Sequence, residues 1–206
     1  AGVLDILKHA NIQAVARVAP LGPDLRSARL EAAAAWEHAG EPKTALTYLE
    51  ALLQQKGDDE EVVQLLEDLS RRHSLWAELA TIYEAAHARD LPPDLAIERA
   101  HQLAKIYRDH LDDADQATRW FEALIKDPIV SVTDAHREAW RFLTTQYDTT
   151  EAAEDQARVL EMWLQADRTD PEEQRTLRAR LAGVLMDRLE RPEEALALLE
   201  EDLHQV

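Results

Sequence analysis

The chain has 206 residues, enough to bury a sizeable core either in one extended array or in two small globules. Asp and Glu number 41 against 23 Lys and Arg, so the net charge is −18 and the mean field repels phosphate backbones and anionic lipids. We therefore expect no nucleic-acid partner. No apolar run reaches the roughly 18 to 20 residues needed to enter a bilayer. The absence of cysteine excludes disulfides, thiolate zinc sites and thiol nucleophiles.

Composition and the start of the chain leave the cellular compartment open. A cysteine-free chain survives in cytoplasm and periplasm alike, and the cytoplasm is the default expectation. The start, Ala1-Gly2-Val3, has neither an initiator Met nor a signal-peptide pattern. We expect a processed end or an internal boundary there, and a lost export signal is the alternative.

The predicted elements are all helical. Pro, Gly and Asp residues divide the chain into segments of roughly 12 to 20 residues whose apolar positions recur at three and four, the period of an α-helix. Only 5 of the 206 residues are Gly, and no segment alternates polar and apolar residues as a strand would. About eleven helices are predicted, at 3–18, 24–39, 42–56, 59–71, 74–89, 93–110, 113–126, 132–147, 150–166, 171–189 and 192–203.

Several predicted helices begin with capping residues. Asp94 precedes the apolar stretch of 93–110, and Thr133-Asp134 precedes that of 132–147. Asp170 stands before Pro171, a residue favoured at the first helical position. Such side chains accept hydrogen bonds from the exposed amides at a helix start, so we expect structural roles for them.

One segment, 97–130, contains a set of regularly spaced residues. Small residues stand where two helices would cross, an aromatic closes the first helix, another lies within the second, and a proline ends the segment. These residues are Ala100, Leu103, Ala104, Tyr107, Ala117, Trp120, Ala123, Leu124 and Asp127-Pro128. The pattern resembles the tetratricopeptide repeat (TPR), a helical hairpin of about 34 residues. Leu111 and Gln116 depart from it, since the family prefers Gly and Ala there.

The same frame extends along most of the chain. Two further segments fit it well and two fit it less regularly. One of the less regular segments contains Trp76 and resembles a variant repeat in which a Trp opens the second helix. This variant alternates with standard repeats in long bacterial TPR arrays. The resemblance implies a right-handed α-solenoid of stacked antiparallel hairpins over 26–206. Residues 1–25 would form an N-terminal helix that caps the array or belongs to a preceding repeat. A compact helical bundle of another topology is the alternative. The predicted repeats are 26–59, 60–96, 97–130, 131–175 and 176–206.

The resemblance also implies a binding groove. In TPR-like arrays the first helices of successive hairpins line a concave surface, which usually binds a peptide or a helix. The residues carried over to this groove are Glu98, His101, Lys105, Arg108 and Arg180, with Leu30, Ala34, Glu37, Leu177, Val184 and Asp187 at further positions. Lys105, Arg108 and Arg180 would receive carboxylates of a partner. Solubilising charges or intramolecular ion pairs are the alternative, and the Lys and Asn set that clamps chaperone tails in the family is not found.

The sequence patterns that could indicate a catalytic or metal site are incomplete. The pairs Glu84–His87 and Glu98–His101 have the Glu-x-x-His spacing of di-iron bundles, but such sites need further glutamates on long facing helices. The acidic run 109–115 lacks the Gly and terminal Glu of a calcium loop, so we expect helix capping there. No zinc, phosphate-loop or nucleophile-elbow motif occurs. We expect neither a cofactor nor catalysis.

The five tryptophans are the largest apolar side chains. Trp36, Trp76 and Trp120 fall where the family packs neighbouring helices, so we expect them in the core. For Trp140 and Trp163 both a core position and an exposed binding role stay open.

These observations favour a protein that binds other proteins. The expected partner is a protein or peptide held in the groove, and repeat ends would allow self-association. We expect the chain to be part of a longer array. The alternatives are a structural spacer or scaffold without a dedicated ligand, and a helical metal-binding protein built on the Glu-x-x-His pairs.

Overall fold

The computed structural model describes residues 24–57, 59–89, 91–126 and 131–203. These residues contain α-helices joined by turns and no β-strand, which confirms the predicted all-α class. None of the described helices has the length and apolarity needed to cross a membrane. The helices are α1 Asp24–His38, α2 Pro42–Leu53, α3 Glu60–His73, α4 Trp76–His87, α5 Pro93–Asp109, α6 Ala114–Ile125, α7 Asp134–Thr149, α8 Ala153–Ala166, α9 Pro171–Asp187 and α10 Pro192–Leu203.

Both ends of every described helix lie within three residues of the predicted bounds. The predicted helix 3–18 and the closing pair Asp127-Pro128 fall outside the described residues, as does most of the proposed N-terminal segment 1–25.

Helix starts carry the expected caps, with one shift. The Asp170 carboxylate accepts hydrogen bonds from the amides of Glu172 and Glu173, at 2.9 and 3.4 Å. Within the acidic run, Asp113 accepts from the Gln116 amide at 3.0 Å, which confirms capping there. Asp94 lies inside the first turn of α5 instead of before it, because the helix begins at Pro93.

The chain divides into two compact units, unit 1 at Ala1–Leu95 and unit 2 at Ala96–Val206. In unit 1, α1 packs on α2, α2 on α3, and α3 on α4, while α2 also reaches α4. The apolar stripes of these helices meet in a core that includes Trp36, Leu49, Leu66, Leu79 and Tyr83, all buried.

Unit 2 follows the same order. Helix α6 packs on α7, α7 on α8, α8 on α9, and α9 on α10. Helix α5 reaches α6 through the Phe121 ring, whose centroid lies 6.4 Å from that of the His101 ring and 5.6 Å from the Arg108 guanidinium carbon. The largest fully buried side chains here are those of Trp140, Arg99 and Phe121, and packing of the aromatic rings helps to hold the helices of this unit together.

The tryptophans divide differently from the prediction. Trp36 and Trp120 are buried as expected, but Trp76 is only partly buried, because it is the first residue of α4. Trp140 and Trp163, whose roles the sequence left open, are both buried. Their rings stack with centroids 5.6 Å apart and planes inclined by 21°.

Charged side chains join each helix to the next but one within its unit. Most of these contacts span 32 to 37 residues along the chain. Because the pairing recurs at a similar separation, alternate helices lie within side-chain reach of each other in both units. The contacts are Arg26–Asp59 and Glu37–Arg72 for α1 and α3, Lys43–Glu78 for α2 and α4, His101–Glu138 for α5 and α7, Glu122–Arg158 for α6 and α8, Arg141–Glu173 for α7 and α9, and Glu154–Arg191 for α8 and the start of α10.

The turns that follow the odd-numbered helices share one backbone feature. Each contains a single residue with positive φ, the left-handed conformation that ends many helices. In the turn after α7, for example, Glu151 has φ +57° and the Ala152 amide donates to the Tyr147 carbonyl at 2.9 Å. The five residues are Gly40, Ser74, Asp112, Glu151 and Glu190.

Candidate partner-binding face

The five main predicted groove residues lie in unit 2, whereas the further positions Leu30, Ala34 and Glu37 lie in unit 1. Leu177 and Val184, two further positions in unit 2, are buried, so the prediction that they line an open groove is wrong. Helix α5 carries Glu98, His101, Lys105 and Arg108, and α9 carries Arg180. Helix α7 lies beside both, since its side chains contact α5 on one side and α9 on the other. We name the surface formed by α5, α7 and α9 the odd-helix face.

A carboxylate of α7 stands at the centre of the α5 residues. Glu138 Oε2 lies 2.6 Å from His101 Nε2, and Glu138 Oε1 lies 2.7 Å from Arg108 Nη1. Partial burial would raise the pKa of Glu138, but the hydrogen bonds from His101 and Arg108 outweigh it and hold that pKa below its usual value. Glu138 therefore stays ionised and joins α5 to α7.

Arg108 is also engaged on its own helix. Its Nε donates to Asp109 Oδ1 at 2.6 Å, and this bond is the main cause of the raised pKa of the guanidinium. The same group lies over the Phe121 ring. Arg108 thus makes the intramolecular ion pairs that the sequence had allowed as the alternative to a binding role.

Lys105 and Glu98 are the exposed members of the predicted set on α5. Lys105 makes no ion pair with any residue that the structure describes, and Glu98 accepts only a long hydrogen bond of 3.5 Å from Gln102. Surface charges of this kind change partners at little cost in free energy. These two side chains are therefore the most accessible to a partner.

Arg180 occupies a different environment. Its guanidinium donates to the Thr144 carbonyl at 3.2 Å and to the Thr144 hydroxyl at 3.4 Å. Thr144 is buried and belongs to α7, so Arg180 ties α9 to α7 while the residue as a whole stays exposed. The structure thus places Arg180 and the α5 residues on opposite flanks of α7.

Sequence reasoning missed the contribution of α7 itself. Glu138 and Arg141 lie on the odd-helix face, and the Arg141 side chain is 61% exposed. A signal was present: the spacing Trp140, Leu143, Thr144 and Tyr147 in α7 repeats that of Ala100, Leu103, Ala104 and Tyr107 in α5. The bulky Trp140 at the first of these positions and the polar Thr144 at the third hid the match.

The face has the chemistry of a binding surface with charges of both signs. Among the described residues no three His, Asp or Glu side chains are grouped so as to hold a metal ion, and the pairs Glu84–His87 and Glu98–His101 form no such group. No protein-family model matches the chain, and no curated protein matches it. The TPR resemblance therefore stays a prediction.

Proposed function

We propose that each unit stacks its hairpins as a TPR-like, right-handed α-solenoid, and that the chain is a non-enzymatic interaction module. Its partner is a peptide or a helix of another protein, bound along the odd-helix face. The observation that carries this proposal is the recurrent pairing of each helix with the next but one. Such pairing is the expected result of stacking helical hairpins in a row.

Repeated stacking supports a binding role because it builds a surface that no single hairpin could offer. Helices in a row present their outward residues as a continuous polar strip. On the odd-helix face the exposed cations Lys105 and Arg141 lie on neighbouring helices, α5 and α7. A peptide with carboxylates can pair with both, and charged pairs at such a surface contribute mainly to specificity and association rate.

The structural-spacer alternative also has an observation in its favour. His101, Arg108 and Arg180, three of the five predicted groove residues, already bind Glu138, Asp109 and Thr144 of the same chain. If these side chains serve only to make such intramolecular contacts, the odd-helix face holds helices together and has no dedicated ligand.

A peptide-display selection separates the two functions. Peptides selected on the wild-type chain are measured against a Lys105→Glu/Arg141→Glu variant and against the matched control Arg119→Glu/Lys126→Glu, which alters two exposed cations of α6 and its C-cap. Binding through the odd-helix face predicts at least a tenfold loss in the first variant and little change in the control. Equal binding to all three proteins would show that the peptides do not use the odd-helix face, and the absence of any selected peptide would favour the spacer.

Self-association through a repeat end is a second interaction that the chain allows. Met186, Leu196 and Leu199 are exposed on α9 and α10, the last two described helices. Large apolar side chains exposed to water favour contact with another molecule.

A further inference from the structure

A concave surface in unit 2 lies away from the odd-helix face. A cleft of about 640 Å³ is formed by α8, α9 and α10 together with the turn between α8 and α9. This volume falls within the roughly 300 to 1,000 Å³ of small-molecule sites. The cleft uses the side of α9 that bears Arg178, whereas Arg180 lies two residues further, about 200° around the helix. The two surfaces are therefore separate.

The charge of the cleft is opposite to that of the chain. Among the residues that the structure describes, three arginines, Arg168, Arg175 and Arg178, line it with one carboxylate, Glu161, although the net charge of the protein is −18. Like charges that share a cleft repel one another, so an anion between them would be stabilised. The guanidinium fork matches carboxylate and phosphate oxygens in geometry as well as charge.

The arginines differ in how firmly they are held. Arg178 donates to Gln174 Oε1 at 3.2 Å, and the Gln174 amide is itself fixed by the carbonyls of Leu164 and Asp167. Among the described residues Arg175 makes one ion pair, an exposed one with Glu172, and a ligand can replace this contact at little cost. Part of the site is thus formed in advance, which lowers the entropy lost on binding.

Apart from the charged side chains, the cleft is lined by two glutamines, Gln165 and Gln174, and by apolar residues. Leu164, Leu181 and Leu198 line the cleft from three different helices, and Pro171 adds a further apolar wall. A bare inorganic phosphate would leave these walls without contact. The lining therefore fits a molecule that has both an anionic group and an apolar body.

We propose that this cleft binds an organic anion, a carboxylate or phosphate attached to an apolar group, with Arg168, Arg175 and Arg178 around the anionic end and the three leucines around the apolar end. The site is independent of the partner-binding face. If the cleft binds no organic anion, the peptide-binding proposal still stands, because the cleft and the odd-helix face use opposite sides of α9.

The probes are hexanoate and hexyl phosphate, with hexanol and inorganic phosphate as the two half-ligands, titrated calorimetrically into the whole chain. We expect saturable binding of the complete probes, at least tenfold weaker binding of either half-ligand, and weakening as salt rises. The dipeptide N-acetyl-Leu-Asp serves as a further arm. If it binds more than tenfold tighter than hexanoate, the natural anion is a protein segment; otherwise it is a free small molecule.

The assignment to the arginines is tested by Arg168→Ala/Arg175→Ala, two exposed positions whose loss should not disturb folding. We expect at least a tenfold loss of hexanoate affinity, while the control Arg119→Ala/Lys126→Ala changes it less than twofold. Three results would each overturn the proposal. They are the absence of saturable binding of either complete probe, an affinity for hexanol equal to that for hexanoate, and an unchanged hexanoate affinity in the arginine variant.

Discussion

The two stacked tryptophans of unit 2 are held by packing and not by hydrogen bonds. Trp140 is fully buried, and neither its indole N–H nor that of Trp163 has a hydrogen-bond partner among the described residues. The stack joins α7 to α8. The guanidinium carbon of Arg141 lies over the Trp163 ring, 5.8 Å from its centroid. The free energy that these rings contribute comes from burial and ring contact, against the cost of two buried, unbonded donors.

This arrangement predicts different outcomes for two substitutions. Trp140→Ala should lower the free energy of unfolding by about 3 to 5 kcal/mol, because it leaves a large cavity. Trp140→Phe should cost clearly less than Trp140→Ala, since it leaves a smaller cavity, keeps an aromatic ring and removes the unbonded N–H. Urea denaturation measures both. Equal losses in the two variants would show that the ring stack contributes little.

His136 is a buried histidine that serves as a helix cap. The backbone N–H of Thr133 donates to His136 Nδ1 at 3.2 Å, so that nitrogen must be unprotonated. Burial, and secondarily the nearby charge of His101, lower the pKa of His136 below its ordinary value of 6.5. The unfolded chain therefore binds a proton at a higher pH than the folded chain does.

The sign of the pH effect follows from linkage. Because the pKa is lowered on folding, the contribution of His136 to stability is complete above about pH 6.5 and is lost as the pH falls toward the folded-state pKa. Wild-type protein should lose more stability between pH 7 and pH 5 than His136→Gln, whose amide keeps the cap without titrating. Urea midpoints measured at pH 7 and pH 5 for both proteins test this. An identical loss of stability in wild type and variant would rule out His136 as the cause.

At the scale of elements, the short turns after odd-numbered helices set the geometry of each hairpin. Four of their five left-handed residues are not glycine. A left-handed conformation costs a non-glycine residue about 1 to 2 kcal/mol, whereas glycine adopts it freely but loses about 0.5 to 1 kcal/mol in chain entropy. The turns are therefore a place where stability can be gained.

Glu151→Gly should raise the free energy of unfolding by about 0.5 to 1 kcal/mol, the difference between those two costs. Glu161→Gly, an exposed position within α8, is the matched control and should lower it by about 1 kcal/mol. Thermal unfolding of both variants and of the wild type measures these changes in stability. Destabilisation by both substitutions would mean that the turn does not need the left-handed conformation.

At the scale of the whole molecule, the helices could be predicted from the sequence because their signals are local. The period of three and four and the capping residues act within a few positions, so the predicted bounds of α9 and α10 agree closely with the structure. The left-handed turn residues could not be found in this way. Ser74 and Glu190, for example, carry none of the conformational preference that marks Gly40.

The candidate site was predictable only in part. The repeat frame placed His101 and Arg108 correctly on α5, but their common partner Glu138 lies on another helix, 37 residues from His101. No local pattern specifies a pair formed across helices. The cleft with Arg168 and Arg175 was missed for the same reason, because its lining comes from three helices and a turn.

The exposed apolar residues near the last described helices predict concentration-dependent association. Leu196→Glu/Leu199→Glu places two like charges on that surface and should shift the chain toward monomer in sedimentation-velocity experiments. Ala197→Glu, at an exposed small residue of the same helix, is the control and should behave as wild type. If wild type and double variant sediment alike at all concentrations, this surface does not mediate association.

Because the chain contains no cysteine, pairs of introduced thiols report directly on which helices are neighbours. The reagent is a bis-maleimide whose reach is about one helix spacing, or about 8 to 10 Å. The pairs His101→Cys/Glu138→Cys and Arg141→Cys/Glu173→Cys join α5 to α7 and α7 to α9, and His101→Cys/Glu173→Cys tests α5 against α9. Hairpins stacked in a row predict efficient cross-linking within the first two pairs and none in the third. Efficient cross-linking of the third pair would place α5 against α9 and contradict the stacked arrangement on which the proposed binding face depends.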